Sequence, residues 1–251
     1  MKPLSKPSLW LCFLVAACLL LYGCTAPPSD NSDSTSAATP AATPSFTDYA
    51  SAQVKEEDFD TEWAEPSSTI IECNGTEITI QGGGAQAENG GVTITEEGTY
   101  VLSGTLEDGQ VFINAPDTAL VRLILNGVTL HCSASAPLYC QQADKLVVTL
   151  AEGTTNTLTD GESYTFPDAA TDEPSAALFS TADLTLNGTG GLDITSLYNN
   201  GIGTKDDLVL VSGKLNVEAA NHALRGRDSV TVLEASLTLT AGNDGIQANN
   251  D

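Results

Sequence analysis

Short apolar runs, separated by glycine and polar residues, recur at regular intervals in the C-terminal part of the chain. Three segments align with one another, and they begin at Asp183, Asp207 and Ser229. The second and third segments differ by 22 positions at every matched residue, and the first has one extra residue in each gap between its apolar runs. A repeat of about 20–50 residues is typical of solenoid proteins, in which each unit stacks on the next.

Each segment contains three apolar runs, and the residue between the apolar positions of the first two runs is mostly polar, with Val209 as the exception, which is the alternation of a β-strand. The matched positions are Leu184, Leu208 and Val230 in the first run, Leu192, Leu215 and Leu237 in the second, and Ile202, Leu224 and Ile246 in the third. Leu178 takes the third position one unit earlier. The pattern predicts an all-β fold, a single-stranded parallel β-helix with about 22 residues per rung.

Six earlier apolar runs are less regular, and we interpret them as more divergent rungs. They lie at residues 78–80, 92–94, 100–102, 111–113, 123–125 and 146–150. Strands between residues 69 and 90 are expected to cap the start of the stack. Residues 160–175 are acidic and contain two prolines, which predicts a loop that can line a binding face. Since the sequence stops where a further strand would begin, we expect it to be truncated at the C-terminus.

The first 23 residues have the pattern of an export signal. Lys2 and Lys6 precede an apolar stretch at residues 9–21, which is too short to span a bilayer. Cys24 follows a glycine as in a bacterial lipobox, so it is predicted to be the lipidated first residue of the mature protein. Tyr22 departs from the small or aliphatic residue usual at its position. The alternative is an ordinary secretory signal, and both predict export.

Residues 24–66 are predicted to form a flexible, disordered tether. Ser, Thr, Ala and Pro dominate its first part, an acidic stretch follows, and neither offers enough apolar surface for a core. The predicted organisation is a lipoprotein signal peptide at 1–23, a tether at 24–66 and a parallel β-helix domain at 67–251. The protein is then extracellular and anchored by lipid to the bacterial cell membrane.

Three of the six cysteines remain after removal of the signal and lipidation of Cys24, namely Cys73, Cys132 and Cys140. An odd number excludes a complete disulfide framework. Cys132 and Cys140 either pair across a turn or fill the strand stack as small buried side chains.

The net charge of the chain is −24, and loss of the two lysines in the signal peptide makes it more negative. Such a surface repels nucleic acid, which is excluded as a partner, and it attracts divalent cations that bind oxygen ligands. Against this background, Lys205, Arg225 and Arg227 lie close together in sequence. We predict that they bind an acidic polysaccharide, because arginine pairs with carboxylates through two hydrogen bonds.

Stacking of rungs places residues 22 positions apart on neighbouring strands, about 4.8 Å from each other. The corner after the third run then holds three columns, which are Lys205, Arg227 and Asn249; Asp206, Asp228 and Asn250; and Asp207, Ser229 and Asp251. Stacked carboxylates repel one another unless a cation lies between them. We therefore predict a calcium site at Asp206, Asp207 and Asp228, although Asn and Asp also occur at such corners simply as turn formers.

Several segments resemble a family of secreted carbohydrate-binding β-helix proteins, first described from a cellulose-degrading clostridial bacterium and often lipoproteins. They are ADKLVVTLAEGTTNTLTDG, ALFSTADLTLNGTGGLDI, NNGIGTKDDLVL, ALRGRDSVTV and LTLTAGNDGIQANND. The resemblance covers about residues 69–251. It implies a right-handed β-helix similar to pectate lyases, with bound calcium and affinity for cellulose-like and acidic, pectin-like polysaccharides. By motif it assigns the calcium ligands to Asn200, Asp206, Asp207, Asp228, Asp244 and Asp251. His222 stands where family members often carry Asp.

The leading functional hypothesis is therefore a monomeric, non-catalytic polysaccharide-binding protein at the cell surface, dependent on calcium. No Gly-x-Ser-x-Gly nucleophile motif is present in the sequence. Two alternatives stay open. One is a calcium-dependent pectate lyase in which Lys205, Arg225 or Arg227 is the base, and the other is a structural adhesin that binds no glycan.

Overall fold

In the computed structural model, residues 54–166 and 170–249 are described, and they form an all-β structure with almost no helix. Two single-turn 3-10 helices, Glu56–Phe59 and Glu65–Ser67, precede the strands. The predicted signal peptide, Cys24, the tether up to residue 53 and Asp251 lie outside the described residues. Within the described ranges, no helix is long and apolar enough to cross a membrane.

Twenty strands make up the described part of the chain. In chain order they are β1 (Thr69–Gly75), β2 (Glu77–Gln81), β3 (Ala85–Glu88), β4 (Gly91–Ile94), β5 (Gly98–Leu106), β6 (Val111–Asn114), β7 (Leu120–Cys132), β8 (Leu138–Gln142), β9 (Lys145–Leu150), β10 (Thr155–Asp160), β11 (Ala176–Ser180), β12 (Asp183–Gly188), β13 (Gly191–Ser196), β14 (Asn200–Thr204), β15 (Asp207–Leu210), β16 (Lys214–Ala219), β17 (Leu224–Gly226), β18 (Ser229–Val232), β19 (Ser236–Ala241) and β20 (Ile246–Ala248). The alternation seen in the sequence is visible in their burial, since β13 and β16 bury every second residue.

The strands form two sheets that are mostly parallel and strongly curled. The larger sheet has the order β18-β15-β12-β9-β7-β10-β13-β16-β19, with β5, β1 and β2 attached through β7, and the smaller has the order β20-β17-β14-β11-β8-β6-β4-β3. Strand β7 produces the curl because its first part pairs with β9 and its last part with β10. Only β1–β2 and β3–β4 are antiparallel among the described strands, so residues 78–80 form a hairpin strand rather than a parallel rung.

The pairings predicted for the third apolar run are confirmed. Leu178 pairs with Ile202, Ile202 with Leu224, and Leu224 with Ile246, and the last two steps have the spacing of the sequence repeat. Ile202 and Leu224 are fully buried, whereas Ile246 is 47% exposed. This exposure corrects the prediction that Ile246 lies in the interior, and its cause is that β20 is the edge strand of the smaller sheet.

The first and second runs show the same register. Leu184 pairs with Leu208, and Leu208 with Val230, across β12, β15 and β18. Leu192 and Leu215 pair in the same way across β13 and β16. The aliphatic side chains from all three runs enclose one continuous core between the two sheets. Burial of such side chains, each contributing about 1.5–3 kcal/mol, is the main force that holds successive segments together.

Residues 54–63, which we call the N-terminal strap, pack against the outer face of the larger sheet. Val54 contacts Val209 and Val211. Asp58 is fully buried, its Oδ1 atom lies 2.5 Å from Nζ of Lys145, and the same oxygen accepts a hydrogen bond from Thr185. All six residues of β9 are buried, because the core covers one face of this strand and the strap covers the other.

Side-chain amide and guanidinium donors complete the attachment of the strap. Asn187 donates from Nδ2 to the carbonyl oxygens of Asp58 and Asp60, and Arg122 donates to those of Asp60 and Glu62. The prediction of a flexible tether up to residue 66 is therefore wrong for residues 54–66, where an ion pair and hydrogen bonds to distant strands add to the apolar contacts of Val54 and Trp63.

All three described cysteines, Cys73, Cys132 and Cys140, are free and buried. They do not form the disulfide that was one of the two alternatives for Cys132 and Cys140. Burial raises the pKa of the Cys73 and Cys140 thiols to about 11, so both stay protonated at neutral pH and are poor nucleophiles.

Candidate functional site

A groove of about 520 Å³ lies on the outer face of the smaller sheet. On strands β11, β14 and β17 the outward positions are Phe179, Gly203 and Arg225, which pair in that order. Because Gly203 has no side chain, a gap opens between Phe179 and Arg225. A Cβ atom at Gly203 would lie 3.1 Å from Cβ of Ala176 and 3.4 Å from the Phe179 ring, so a larger residue would fill the groove.

The three predicted carbohydrate-binding residues, Lys205, Arg225 and Arg227, all line this groove. Nζ of Lys205 lies 2.5 Å from Oε1 of Glu173, which offsets its charge. Arg225 and Arg227 form no ion pair with any other residue in the described ranges. Their guanidinium groups therefore offer unpaired donors, and in a chain of net charge −24 such a site is suited to an anionic ligand.

An acidic cluster lies at the corner directly after Lys205. One carboxylate oxygen from each of Asp183, Asp206 and Asp207 lies within 4.8 Å of the others. The hydroxyl group of Ser229 donates to Oδ1 of Asp207 at 2.6 Å. Asp206 and Asp207 belong to the predicted calcium site, whereas Asp183 was missed. Asp183 lies opposite Lys145 in the backbone pairing of β12 with β9. Its side chain forms an ion pair with the strap instead, since its Oδ2 atom lies 3.6 Å from Nζ of Lys55.

The carboxylates of this cluster repel one another. Burial and then the charges of Asp183, Asp228 and Asp207 raise the pKa of the Asp206 carboxyl above its ordinary value. Asp228 therefore acts on the cluster electrostatically, although it is exposed and outside the group of three. Several carboxylate oxygens that converge at a partly buried corner fit the donor preference of calcium.

The remaining predicted calcium ligands lie elsewhere. Asn200 is at the opposite end of β14, four residue steps of about 3.3 Å from Thr204. Its Oδ1 atom accepts hydrogen bonds from the backbone of His222 and from Asn221, and its Nδ2 donates to Ser175. Oδ2 of Asp244 lies 3.3 Å from Nδ1 of His222 at the same end. The motif-based set thus divides between two corners, and Asn200 and Asp244 do not lie with Asp206, Asp207 and Asp228.

Replacing Asp206 by asparagine tests the repulsion among the carboxylates of the acidic cluster. Because the folded state raises the pKa of Asp206, protonated Asp206 stabilises the fold at low pH, and this contribution is lost as the pH rises through the raised pKa. With chelator present, we expect Asp206→Asn to have a higher melting temperature than wild type at neutral pH, and the difference to vanish below about pH 4. Thermal melts across this range check it, with the exposed Asp117→Asn as control. A lower melting temperature for Asp206→Asn at neutral pH would contradict it.

The strongly curled, mostly parallel all-β fold resembles that of a polysaccharide lyase-like protein. The structure of the polysaccharide lyase-like protein from C. thermocellum, a gadolinium derivative, superposes with a TM-score of 0.71 at 36% identity, covering 73% of this chain and 74% of that one. Residues 88–251 match the model of the carbohydrate-binding domain-containing protein family, and the chain belongs to this family.

A relative from Acetivibrio thermocellus, described as a carbohydrate-binding domain-containing protein, is 40% identical over 128 residues. These residues make up 51% of this chain, and they span 45% of the length of the relative.

Proposed function

We propose that this protein binds polysaccharide without cleaving it, through the groove over Gly203. The observation that carries the proposal is the pair of guanidinium groups, Arg225 and Arg227, which have no ion-pair partner among the described residues and lie beside an opening on a family scaffold described as carbohydrate-binding. Each guanidinium group presents a planar fork of donors that matches the two oxygens of a uronate carboxylate. Acidic, pectin-like chains are therefore the proposed ligands of the groove, with cellulose-like chains as the neutral counterpart.

The proposed scaffold is a right-handed, single-stranded parallel β-helix, with about 22 residues per rung. The register of β14, β17 and β20 supports it, since Ile202, Leu224 and Ile246 follow one another at the spacing of the sequence repeat. In such a scaffold the outward side chains of successive rungs repeat every 4.8 Å or so, which suits a ligand that is itself a linear polymer.

Calcium is proposed to act at the corner beside the groove, held by Asp183, Asp206 and Asp207. A bound divalent cation would neutralise the repulsion among these carboxylates and could accept further oxygen ligands from an acidic sugar.

The proposed location is the outer face of a bacterial membrane, with Cys24 carrying the lipid. The basic start, short apolar stretch and lipobox-like cysteine support it. The protein is proposed to be a monomer. The chain segment between Cys24 and the strap then connects the lipid anchor to the domain that binds the polysaccharide.

The proposed function predicts retention on acidic polysaccharide. We expect the purified mature protein to be depleted from solution by insoluble polygalacturonate and to be depleted less when a chelator is present. Calcium is expected to raise the melting temperature of wild type, and to do so less for Asp206→Asn. Depletion is measured by comparing bound and free protein after centrifugation. Absence of retention on polygalacturonate and on cellulose alike would rule out the function.

A calcium-dependent lyase is the second candidate, favoured by the lyase-like relative and by basic side chains next to the acidic cluster. A lyase removes the proton from the carbon next to the uronate carboxylate, the glycosidic oxygen leaves from the adjacent carbon, and the new chain end carries a carbon–carbon double bond. Ultraviolet absorbance after incubation with polygalacturonate and calcium separates the two, because binding alone yields no such product.

A further inference from the structure

Six of the nine aromatic residues in the described part of the chain gather on the outer side of the smaller sheet. Three of them, Phe112, Tyr139 and Phe179, form a column in which neighbouring ring centroids lie 5.5 and 5.8 Å apart. Tyr139 and Phe179 are each only 3% exposed. Tyr139 is therefore covered, whereas Phe179 borders the groove with little of its surface exposed and Phe112 is partly buried.

The other three residues, Tyr164, Phe166 and Tyr198, form what we call the aromatic patch. Tyr164 and Tyr198 stack with ring centroids 4.1 Å apart and planes inclined by 20°, and Phe166 lies 6.2 Å from Tyr198. All three are only partly buried, and the neighbouring Leu197 is 48% exposed. A cluster of partly exposed aromatic rings is uncommon on an acidic, soluble surface and indicates a place where apolar contact is made.

A buried carboxylate fixes the aromatic patch in place. Asp160 is fully buried, and its Oδ2 atom accepts hydrogen bonds from Tyr164 at 2.6 Å and from Ser196 at 2.7 Å. Its Oδ1 atom accepts a further bond from the backbone of Leu197 at 2.6 Å. Asp160 therefore ties the segment that carries Tyr164 to the corner that carries Tyr198. Two stacked rings held in this way lose little conformational freedom when a ligand binds.

The aromatic patch adjoins the groove. Tyr198 is followed directly by Asn199, which lines the groove. Phe179 lines the groove from the sheet, and Tyr164 packs against the buried cluster that contains Phe179. A linear polymer lying in the groove can therefore continue onto the aromatic rings.

We propose that the aromatic patch is a second sugar subsite, which takes the apolar face of uncharged pyranose rings. This inference rests on the proposed polysaccharide binding and deepens it. The C–H groups on one face of a pyranose ring pack on an aromatic ring much as another apolar group does, and this contact needs no charge. The two subsites then divide the ligands by chemistry: the arginines select uronates, and Tyr164 and Tyr198 hold neutral sugars.

Affinity electrophoresis in native gels tests the division, with hydroxyethylcellulose as the neutral probe and polygalacturonate as the acidic one. We expect Tyr198→Ala to weaken retardation by the neutral polysaccharide by about tenfold in apparent Kd, and retardation by the acidic one much less. Tyr198→Phe keeps the ring and should bind the neutral polysaccharide as wild type does. Tyr198→Leu keeps apolar volume without the aromatic face, and it serves if the alanine variant does not fold.

The outcomes separate this proposal from the function on which it rests. Retardation of wild type in neither gel would overturn the proposed polysaccharide binding itself. Retardation of wild type in the acidic gel alone would overturn only the aromatic subsite. The subsite is likewise overturned if a folded Tyr198→Ala or Tyr198→Leu variant is retarded by the neutral polysaccharide as strongly as wild type, or if Tyr198→Phe loses as much affinity as they do.

Discussion

Replacement of Lys145 by methionine is expected to lower the free energy of unfolding by about 3–5 kcal/mol. The side chains of Lys145 and Asp58 are 3% and 0% exposed, and their charged atoms are 2.5 Å apart. Methionine keeps most of the apolar volume but leaves the Asp58 carboxylate buried without its cation. The strap must then either hold an unpaired charge or detach from the sheet. Urea denaturation followed by circular dichroism measures the loss.

Two further variants make this experiment specific. Lys55→Met breaks the ion pair with Asp183, in which the lysine side chain is 56% exposed, and should cost at most about 1 kcal/mol. Asp58→Asn combined with Lys145→Met removes both charges and should restore part of the stability that Lys145→Met alone loses. If Lys145→Met were no more harmful than Lys55→Met, the strap would not be held by the buried pair.

Reversal of charge at Arg225 is expected to weaken polygalacturonate binding at least thirtyfold, which corresponds to a loss of about 2 kcal/mol or more. Arg225 stands beside the gap at Gly203 and has no ion pair within the described part of the chain. In Arg225→Glu the same position would repel a uronate carboxylate instead of pairing with it. Titration calorimetry with oligogalacturonate measures the change.

The matched control is Lys214→Glu, which changes the net charge by the same amount. Lys214 is exposed at the start of β16, on a different sheet from the groove. Any general repulsion between a more acidic protein and an acidic ligand affects both variants equally, so the difference between them reports the groove. Equal loss in the two variants would show that Arg225 acts only through net charge.

The pairing of strands in the C-terminal part of the chain could be predicted because its signal is local and repeated. The alternation within each run indicates which side chains face the core. The constant spacing of the repeat indicates which residue of the neighbouring strand each residue pairs with. The alignment also placed Asp183 in the column of Asp207, and the strand register agrees with it, but the predicted calcium site began one rung later and so omitted Asp183. The strap was missed for another reason: the partner of Asp58 is Lys145, and no local pattern links residues so far apart in sequence.

The basic residues of the groove could be predicted, whereas its shape could not. Lys205, Arg225 and Arg227 stand out against an acidic composition. The groove exists because Gly203 contributes no side chain between Phe179 and Arg225. The sequence does not show this gap, because it becomes apparent only once the pairing of the three strands is known. Asn200 was placed with the acidic residues by motif spacing, but β14 runs between the two corners and holds them apart.

Protection of arginine from chemical modification tests the location of the polysaccharide site most directly. The chain has three arginines, Arg122, Arg225 and Arg227, and phenylglyoxal modification of each can be followed by peptide mass spectrometry. Saturating oligogalacturonate should slow the modification of Arg225 and Arg227 and leave Arg122, which is bonded to the strap, unchanged. Unchanged modification of Arg225 and Arg227 in a complex shown to be saturated would place the polysaccharide elsewhere on the protein.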